Sequence, residues 1–133
     1  MRSRLLYHLV WTTRGRQPLL DHAASRFLER YLSSVARQEG ARILALGAVQ
    51  THVHVLLEAR TTTSLPRLVQ RLKGGSSALI NREGHCDSPF PVRWARGYAI
   101  HTVGARGLQA ARAYVQTQAK RHPRERIEIS DAR

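Results

Sequence analysis

The chain has one cysteine, few acidic residues and no long apolar stretch, and each of these features narrows the classes of protein to which it can belong. It has a single cysteine, Cys86, among its 133 residues, so an intrachain disulfide is impossible and a reducing compartment fits. No apolar stretch approaches the ~20 residues that a membrane-spanning helix needs, and the start of the chain lacks a full signal-peptide core. We therefore expect a cytoplasmic protein that has no membrane partner.

Acidic residues are also scarce. Nine Asp and Glu stand against 22 Lys and Arg, which gives a net charge of +13 and a pI near 11.5. Such an excess is typical of proteins that bind a polyanion, and nucleic acid is the leading candidate. A membrane surface is a weaker candidate, and general solubility or an arginine-rich proteome is the alternative explanation of the charge.

Length and hydrophobic periodicity predict a single domain over residues 1–133. The predicted strands span residues 4–12, 42–49, 52–58 and 93–103. The predicted helices start at a cap on Asp21, at a cap on Ser64 and at 108; the first ends at Gly40, the second is interrupted at 74–77, and the third ends at 121, before a charged tail over 122–133. This β-α-β-β-α-β order predicts an α+β, ferredoxin-like fold, with a four-stranded antiparallel sheet and two helices on one face. The other face is left for a ligand and for the C-terminal helix.

The strongest local signal is the pair His52 and His54 in the third predicted strand. Alternate strand residues point to the same face, so both imidazoles lie side by side while Val53 and Val55 point the other way. Two neighbouring imidazoles can share a metal ion. Taken alone, the pair fits two hydrogen-bonded core histidines equally well.

The last predicted helix carries Tyr114 and Gln118 one turn apart, to one side of an apolar stripe. Two imidazoles and one amide oxygen can hold a divalent ion and leave open positions for a phosphate oxygen, which the ion polarises as a Lewis acid. The tyrosine would then lie beside that phosphate. In isolation, the simpler interpretation of this helix is a half-buried tyrosine and a solvated glutamine.

A tyrosine beside a metal-bound phosphate suggests nucleophilic chemistry. The phenol of a free tyrosine has a pKa of ~10 and is a poor nucleophile at neutral pH. A nearby cation and a basic surface favour the phenolate. The combination suits attack on a phosphodiester, which leaves a phosphotyrosine and a free sugar hydroxyl.

Five segments resemble, in family order, the single-tyrosine HUH transposases of small insertion sequences that move as single-stranded DNA. Their domesticated relatives, the REP-associated tyrosine transposases, share the likeness. The matching segments run from about residue 5 to residue 120: they are 7–13 (YHLVWTT), 52–54 (HVH), 71–77 (RLKGGSS), 94–104 (WARGYAIHTVG) and 114–118 (YVQTQ).

The resemblance implies residue roles, a cofactor and partners. Tyr114 would be the catalytic nucleophile that joins the 5′ phosphate, and His52, His54 and Gln118 would bind Mg²⁺ or Mn²⁺. Family members recognise hairpins in single-stranded DNA near the element ends, and they are usually homodimers in which the tyrosine helix can complete the partner's site. A bacterial or archaeal cytoplasm, with association to the nucleoid, is the implied location.

Three departures from the family pattern stand out. Gln50 and Thr51 occupy the positions of a common Pro-Asp, which removes an acid that would orient His52 but removes no ligand. His101 replaces a small residue, and we expect a strand histidine without a special role. Residues 118–121 differ from the Asn-Pro-x-Arg pattern of domesticated relatives, which favours the mobile-element branch.

Several basic residues are predicted to contact DNA phosphates, which gives salt-sensitive affinity without sequence information. They lie in the first turn or on helices expected to flank the site: Arg14, Arg16, Arg67, Arg71, Lys73, Lys120 and Arg121. A solvated charge is an equally weighted alternative for each. A structural or incidental role is expected for His8, His22, His85, Cys86 and His122, and core packing is favoured over base stacking for Trp11, Trp94 and Tyr98.

The predicted function is therefore a metal-dependent transposase that cuts and rejoins single-stranded DNA. Two alternatives remain open from the sequence. One is a host-recruited endonuclease that acts on repeated hairpins, and the other is a catalytically silent protein of the same fold that binds single-stranded nucleic acid. The presence of His52, His54, Tyr114 and Gln118 together argues against the silent form.

Overall fold

Alternating apolar residues build a four-stranded sheet in the computed structural model, which describes residues 4–129. The strands are β1 (Arg4–Thr12), β2 (Ala41–Val49), β3 (His52–Arg60) and β4 (Ala99–Val103). The helices are α1 (His22–Gln38), α2 (Leu65–Gln70), α3 (Ser76–Glu83), α4 (Leu108–Gln116) and α5 (Gln118–Arg121). A π-helical turn, Arg71–Gly75, joins α2 to α3, and short 3₁₀ turns cover Arg14–Arg16, Ala105–Gly107 and Pro123–Glu125.

The strand order is β2-β3-β1-β4, and every neighbouring pair is antiparallel. The predicted split βαβ arrangement is thus confirmed, with β3 inserted between β1 and β2. Within residues 4–129, no helix is long and apolar enough to cross a membrane.

The main core lies on one face of this sheet. Val53, Val55 and Leu57 of β3 pack there with Leu9 and Trp11 of β1, and all five are buried. The apolar sides of α1, α2 and α3 cover them; their buried residues are Phe27, Leu28, Leu32, Val35, Leu68, Val69 and Ile80. Each such side chain stabilises the fold by about 1.5–3 kcal/mol relative to exposure.

The second face carries a smaller core under the C-terminal helix. Ala45, Leu56 and Val115 are buried there, and Leu108 and Ala111 pack around them. The apolar stripe predicted for the last helix therefore packs against the sheet, as expected. Because α4 lies mainly over β2 and β3, it covers about half of this face and brings its side chains next to the residues of β3.

The predicted helix caps are present. Asp21 Oδ1 accepts a hydrogen bond from the Ala24 amide at 2.9 Å, and Ser64 Oγ accepts from the Arg67 amide at 3.3 Å. Gly40, at a φ of 80°, follows the end of α1 and turns the chain into β2.

The predicted interruption at 74–77 is wrong, because the helix continues through the π-helical turn into α3. Side chains bond the carbonyls of this turn: the Tyr31 hydroxyl donates to the Arg71 carbonyl and the Trp94 indole donates to the Lys73 carbonyl. A Cβ on Gly75 would lie 1.9 Å from the Tyr31 hydroxyl oxygen. The glycine therefore serves the close approach of α1 and does not end the helix.

The fourth strand is shorter than the predicted 93–103. Trp94 forms only an isolated bridge with Thr13, and β4 starts at Ala99. Between them Gly97 has a φ of 79°, which breaks the extended backbone. The Lys73 ammonium donates to the carbonyls of Ala95 and Gly97, at 2.9 and 2.6 Å. These carbonyls therefore bond a side chain instead of a neighbouring strand.

The last predicted helix, 108–121, breaks at Thr117 into α4 and α5. The Thr117 hydroxyl donates to the Ala113 carbonyl at 2.7 Å, a local bond that competes with regular helix geometry. The segment after α5 folds back onto the β2–β3 turn, where the Gln50 amide donates to the Glu125 carbonyl at 2.7 Å. Residues 130–133 of the predicted charged tail lie outside the described residues.

We predict that Gly47→Ala destabilises the fold by about 1–3 kcal/mol, because overpacking forces a packed element to move. A Cβ at Gly47 would lie 1.8 Å from the Val115 carbonyl oxygen, so α4 must shift away from β2. Urea unfolding measures the change. Gly74→Ala is the matched control, since no atom lies within 4 Å of its added Cβ. Equal effects of the two substitutions would contradict the close approach of α4 and β2.

Candidate active site

The two histidines of β3 point away from the main core, toward α4 and α5. His52 is 3% exposed and His54 is 6% exposed, and their rings meet edge to face with centroids 5.0 Å apart. The alternation of β3 therefore places both imidazoles on one face, as the i, i+2 spacing predicts. Two largely desolvated imidazoles thus lie side by side on the face of the sheet opposite the main core.

Gln118 completes this cluster from above. Its side chain is 1% exposed, and its Oε1 lies 3.4 Å from His52 Nε2. The amide nitrogen donates to the Tyr114 carbonyl at 2.8 Å, so the amide oxygen is the atom turned toward the histidine. Gln118 is thus buried in the site, and the alternative of a solvated glutamine is wrong.

Tyr114 lies beside the same histidines in the same chain. Its ring is 37% exposed and meets the rings of His54 and His8 edge-on, with centroids at 5.5 and 5.7 Å. The guanidinium carbon of Arg121 lies 4.4 Å from the tyrosine ring centroid. The tyrosine is therefore open to solvent on one side, with histidines and a fixed cation around it.

His8 is a site residue that the sequence prediction missed. Its Nε2 lies 2.8 Å from His54 Nδ1, so the two rings share a hydrogen bond and His54 keeps Nε2 for another partner. The alternative of hydrogen-bonded core histidines is thus correct for this one contact. Strand pairing is the signal that would reveal it, because His8 of β1 lies diagonally across from His54, two residues from its partner Val10.

Three further residues reach His52 from outside the predicted set. The Thr51 hydroxyl lies 3.0 Å from His52 Nδ1 and also donates a hydrogen bond to Glu125 Oε1. The His122 ring packs edge-on against His52, with centroids 4.9 Å apart, and its Nδ1 is 3.5 Å from Glu125 Oε2. No sequence spacing points to Glu125 or His122, since both arrive through the folded-back C-terminal segment.

Burial keeps the central imidazoles neutral. It lowers the pKa of His54 to about 3, with smaller contributions from the charges of His52, His8 and His122. Burial also lowers the pKa of His52 and of His8, although the contact with the Gln118 amide opposes the shift at His52. The carboxyl of Glu125 favours its charged form, because the hydrogen bond from the Thr51 hydroxyl lowers its pKa. Neutral imidazoles are the form that binds metals.

The donor set fits a divalent cation. His52 Nε2 and Gln118 Oε1 face one another in a buried site, and His54 Nε2 remains available beside them. Within residues 4–129, no group of three or more His, Cys, Asp and Glu side chains is arranged to hold a metal ion. The amide oxygen is therefore needed to complete the set, and oxygen donors suit Mg²⁺ and Mn²⁺ while imidazole broadens the choice.

The predicted DNA-contacting residues divide into two groups. Arg121 lies over Tyr114, and the charge of Arg16 acts on His52 and Glu125. Arg14 and Lys120 are exposed in the same first turn and last helix. The other three belong to the helical layer on the opposite face and do not flank the site, contrary to expectation: they are Arg67, Arg71 and Lys73.

Partners within the fold explain this second group. Arg67 and Arg71 both pair with Glu39 of the loop after α1, at 2.9 and 2.8 Å. The Lys73 ammonium is held by two backbone carbonyls, as described above. Among the remaining candidates, Trp11 and Trp94 pack edge to face at 5.7 Å, and the exposed Tyr98 is 44% accessible. Core packing is thus the role of the tryptophan pair.

Comparison with known proteins gives the family of the chain. The family model described as "Transposase IS200 like" matches residues 1–118, which include the paired histidines, Tyr114 and Gln118. The chain belongs to this family.

Two curated relatives illustrate the similarity of this IS200-like chain. The ISDra2 transposase TnpA of Deinococcus radiodurans is 32% identical over 74 residues, which are 56% of this chain and 53% of that protein. The transposase for insertion sequence element IS200 of Salmonella typhimurium is 30% identical over 102 residues, 74% of this chain and 66% of that protein. The chain thus spans between half and two thirds of the length of these relatives.

Two solved structures share the fold. A Deinococcus radiodurans R1 protein, described as a candidate transposase, superposes with a TM-score of 0.67 at 25% identity, over 96% of this chain and 95% of that one. A REP-associated tyrosine transposase bound to a REP hairpin superposes with a TM-score of 0.69 at 13% identity, over 92% of this chain and 71% of that one. The second likeness concerns the fold alone.

The buried histidines predict a pH-dependent stability for the metal-free protein. Since the pKa of His54 falls from 6.5 to about 3 on folding, the unfolded chain binds a proton in that interval that the folded chain does not. The free energy of unfolding should therefore decrease as pH falls through this window, by up to about 1.4 kcal/mol per pH unit from this group.

Urea unfolding in a chelator, at several pH values between about 4.5 and 7, measures this slope. His54→Asn should have a shallower slope than the unsubstituted protein. His101→Asn, on the exposed part of the same face, should leave it nearly unchanged. A His54→Asn slope equal to that of the original chain would contradict a neutral, buried His54.

Proposed function

We propose that this chain is a metal-dependent DNA transposase that cleaves and rejoins single-stranded DNA through a 5′-phosphotyrosine at Tyr114. Single-stranded DNA with hairpins at the element ends is the proposed substrate. Membership of the IS200-like family supports the reaction class. The relative that is bound to a REP hairpin suggests the form of the DNA.

The observation that carries the proposal is the meeting of four side chains from β3 and the last helix. His52 Nε2 lies 3.4 Å from Gln118 Oε1, the His54 ring meets the His52 ring at 5.0 Å, and Tyr114 lies against His54 at 5.5 Å. The separate alternatives for each residue, a core histidine or a half-buried tyrosine, do not explain why all four converge. A metal-assisted attack on a phosphodiester uses every one of them.

His52, His54 and Gln118 would hold Mg²⁺ or Mn²⁺. When bound, such an ion polarises a phosphate oxygen and offsets the negative charge that develops during the reaction. The hydrogen bond from Gln118 to the Tyr114 carbonyl couples the amide ligand to the backbone of the nucleophile. A shift of the helix therefore moves both groups together.

Tyr114 supplies the nucleophile. Its phenolic oxygen would attack the phosphorus and lose its proton, while the bond to the 3′ oxygen breaks and that oxygen leaves as a free hydroxyl. The DNA 5′ phosphate is then joined to the tyrosine. Attack of a 3′ hydroxyl on this phosphotyrosine reverses the step and rejoins two strands, so no external energy source is required.

Arg121 and Arg16 would hold DNA phosphates. Arg121 lies over the Tyr114 ring and the charge of Arg16 acts on His52, so both contribute positive charge to the site. Beyond α4, the rest of this sheet face is partly open, with Ala99 and His101 exposed on β4. We infer that the substrate strand approaches across this open half of the sheet. The homodimer expected from the resemblance remains part of the proposal.

Tyr114→Phe should abolish the covalent protein–DNA complex, because the phenolic oxygen is the attacking atom. The experiment incubates purified protein with single-stranded oligonucleotides from both flanks of its own gene, in Mg²⁺ or Mn²⁺, and separates the products on a denaturing gel. The unsubstituted chain should give a slower band that carries both protein and labelled DNA, and the variant should give none.

Tyr98→Phe is the matched control, since Tyr98 is an exposed tyrosine that lies on the helical face of the sheet. It should retain the covalent band. Hairpin binding without any covalent band from the unsubstituted protein would favour the catalytically silent binding protein. A covalent band that survives Tyr114→Phe would assign the nucleophile to another residue.

The placement of the arginines predicts two different salt dependences. Replacing Arg16 and Arg121 together by alanine should reduce the slope of log K against log salt by about 1.4, since each lost contact to single-stranded DNA contributes about 0.7. Fluorescence anisotropy with a hairpin oligonucleotide measures it. Arg67→Ala with Arg71→Ala should change the slope little, because both side chains already pair with Glu39. Equal changes would contradict the assignment of the DNA face.

A further inference from the structure

The residue before the first histidine of the pair has an unusual environment. Thr51 is 6% exposed, and its hydroxyl touches two groups at once: the carboxylate of Glu125 and Nδ1 of His52, the latter at 3.0 Å. The acid in this contact comes from the C-terminal segment, which brings Glu125 to the Thr51 hydroxyl.

One arrangement of protons satisfies both contacts of the Thr51 hydroxyl. A hydroxyl has one proton to give, and a carboxylate ionised at neutral pH can only accept. The Thr51 proton is therefore committed to Glu125. The oxygen of Thr51 can then only accept from His52, so Nδ1 of that ring must carry the imidazole proton.

This arrangement decides the state of the opposite ring nitrogen. A neutral imidazole with its proton on Nδ1 has a free lone pair on Nε2. That nitrogen faces Gln118 Oε1 at 3.4 Å, and the Gln118 amide is fixed in this orientation by the Tyr114 carbonyl. With the proton on Nδ1, neither Nε2 nor Oε1 has a proton to donate to the other. A cation satisfies both.

The backbone holds Glu125 in place independently of its side chain. The Gln50 amide donates to the Glu125 carbonyl at 2.7 Å, and the Gln50 side chain donates to the Arg126 carbonyl at 3.0 Å. Ile127 packs against the main core just beyond. The carboxylate is therefore delivered to Thr51 by a docked segment, which makes the contact a built feature of the fold.

We propose that Glu125, acting through Thr51, is a positioning residue that fixes His52 with its proton on Nδ1 and its Nε2 lone pair toward the metal site. The role of Nε2 as a ligand rests on the proposed function. The proton arrangement itself does not, and it exists in the metal-free protein.

The first experiment reads the proton position directly. In metal-free protein labelled with ¹⁵N-histidine, a long-range ¹H–¹⁵N spectrum distinguishes a protonated from an unprotonated ring nitrogen, and loss of one pattern in His52→Asn assigns it. The unsubstituted chain should show His52 protonated at Nδ1 alone. Glu125→Ala and the near-isosteric Thr51→Val should each lose this single pattern. Glu128→Ala, an exposed acid in the same segment, should keep it.

The second experiment measures Mn²⁺ affinity by electron paramagnetic resonance. Removing a group that orients a metal ligand typically weakens binding 10- to 100-fold, and we expect about this loss for Glu125→Ala. Glu128→Ala should stay within about twofold. Thr51→Asp added to Glu125→Ala should restore most of the affinity, because its carboxylate can accept directly from His52 Nδ1.

The outcomes separate the inference from the proposed function. A proton on His52 Nε2 in the unsubstituted protein, or unchanged spectra and affinity in both Glu125→Ala and Thr51→Val, would overturn the positioning role. The Tyr114-dependent covalent band would be unaffected by that result. Gln118→Ala should lose Mn²⁺ affinity yet keep the Nδ1 proton. That result would support the positioning role of Glu125 even where the metal site is disabled.

Discussion

The two-residue alternation of β3 is the constraint on which the rest of the structure depends. Val53, Val55 and Leu57 face one way and hold three helices, while His52 and His54 face the other way and form the site. Because the strand is central in the sheet, both sets are buried. A shift of register by one residue would place valines on the site face and imidazoles in the apolar core, so fold stability selects the face on which the histidines lie.

Only part of the second face of the sheet is covered. Leu56 on β3 and Val115 on α4 seal one half, and Gly47 lets the helix approach the backbone of β2. The same contact carries Tyr114 and Gln118 to the histidines. The other half, over β1 and β4, is left more accessible, with Ala99 and His101 exposed on β4, while His52 and His54 are themselves buried. The β2–β3 half of this face is thus used for packing, and the β1–β4 half remains accessible.

Local patterns were sufficient for the elements and for the four central residues. The i, i+2 spacing located His52 and His54, and the i, i+4 spacing located Tyr114 and Gln118, because these periods are properties of a strand and a helix. Local patterns failed where a distant side chain competes for the backbone. Lys73 takes carbonyls that would extend β4, and Tyr31 accommodates the π-helical turn that was expected to be a break.

The same limit explains the residues that support the site. His8 reaches His54 through strand pairing, and Glu125 reaches Thr51 through a segment more than 70 residues away in sequence, so neither has a local spacing. The charge excess likewise gave a partner class but no location, since Arg67 and Arg71 are used to fix a glutamate between helices. Identifying them requires the register and the docked segment, which are tertiary properties.

The metal-free site is a compromise between stability and function. Burying three neutral imidazoles forfeits the solvation of any charged form, and His54 in particular resists protonation down to a pKa of about 3. His52 Nε2 and Gln118 Oε1 meet at 3.4 Å in this dry site, where a proton or a cation has to satisfy both atoms. The proposed cation would bind the imidazoles in the neutral form that burial favours. A protein that only bound nucleic acid would gain nothing from burying these imidazoles and this amide oxygen together.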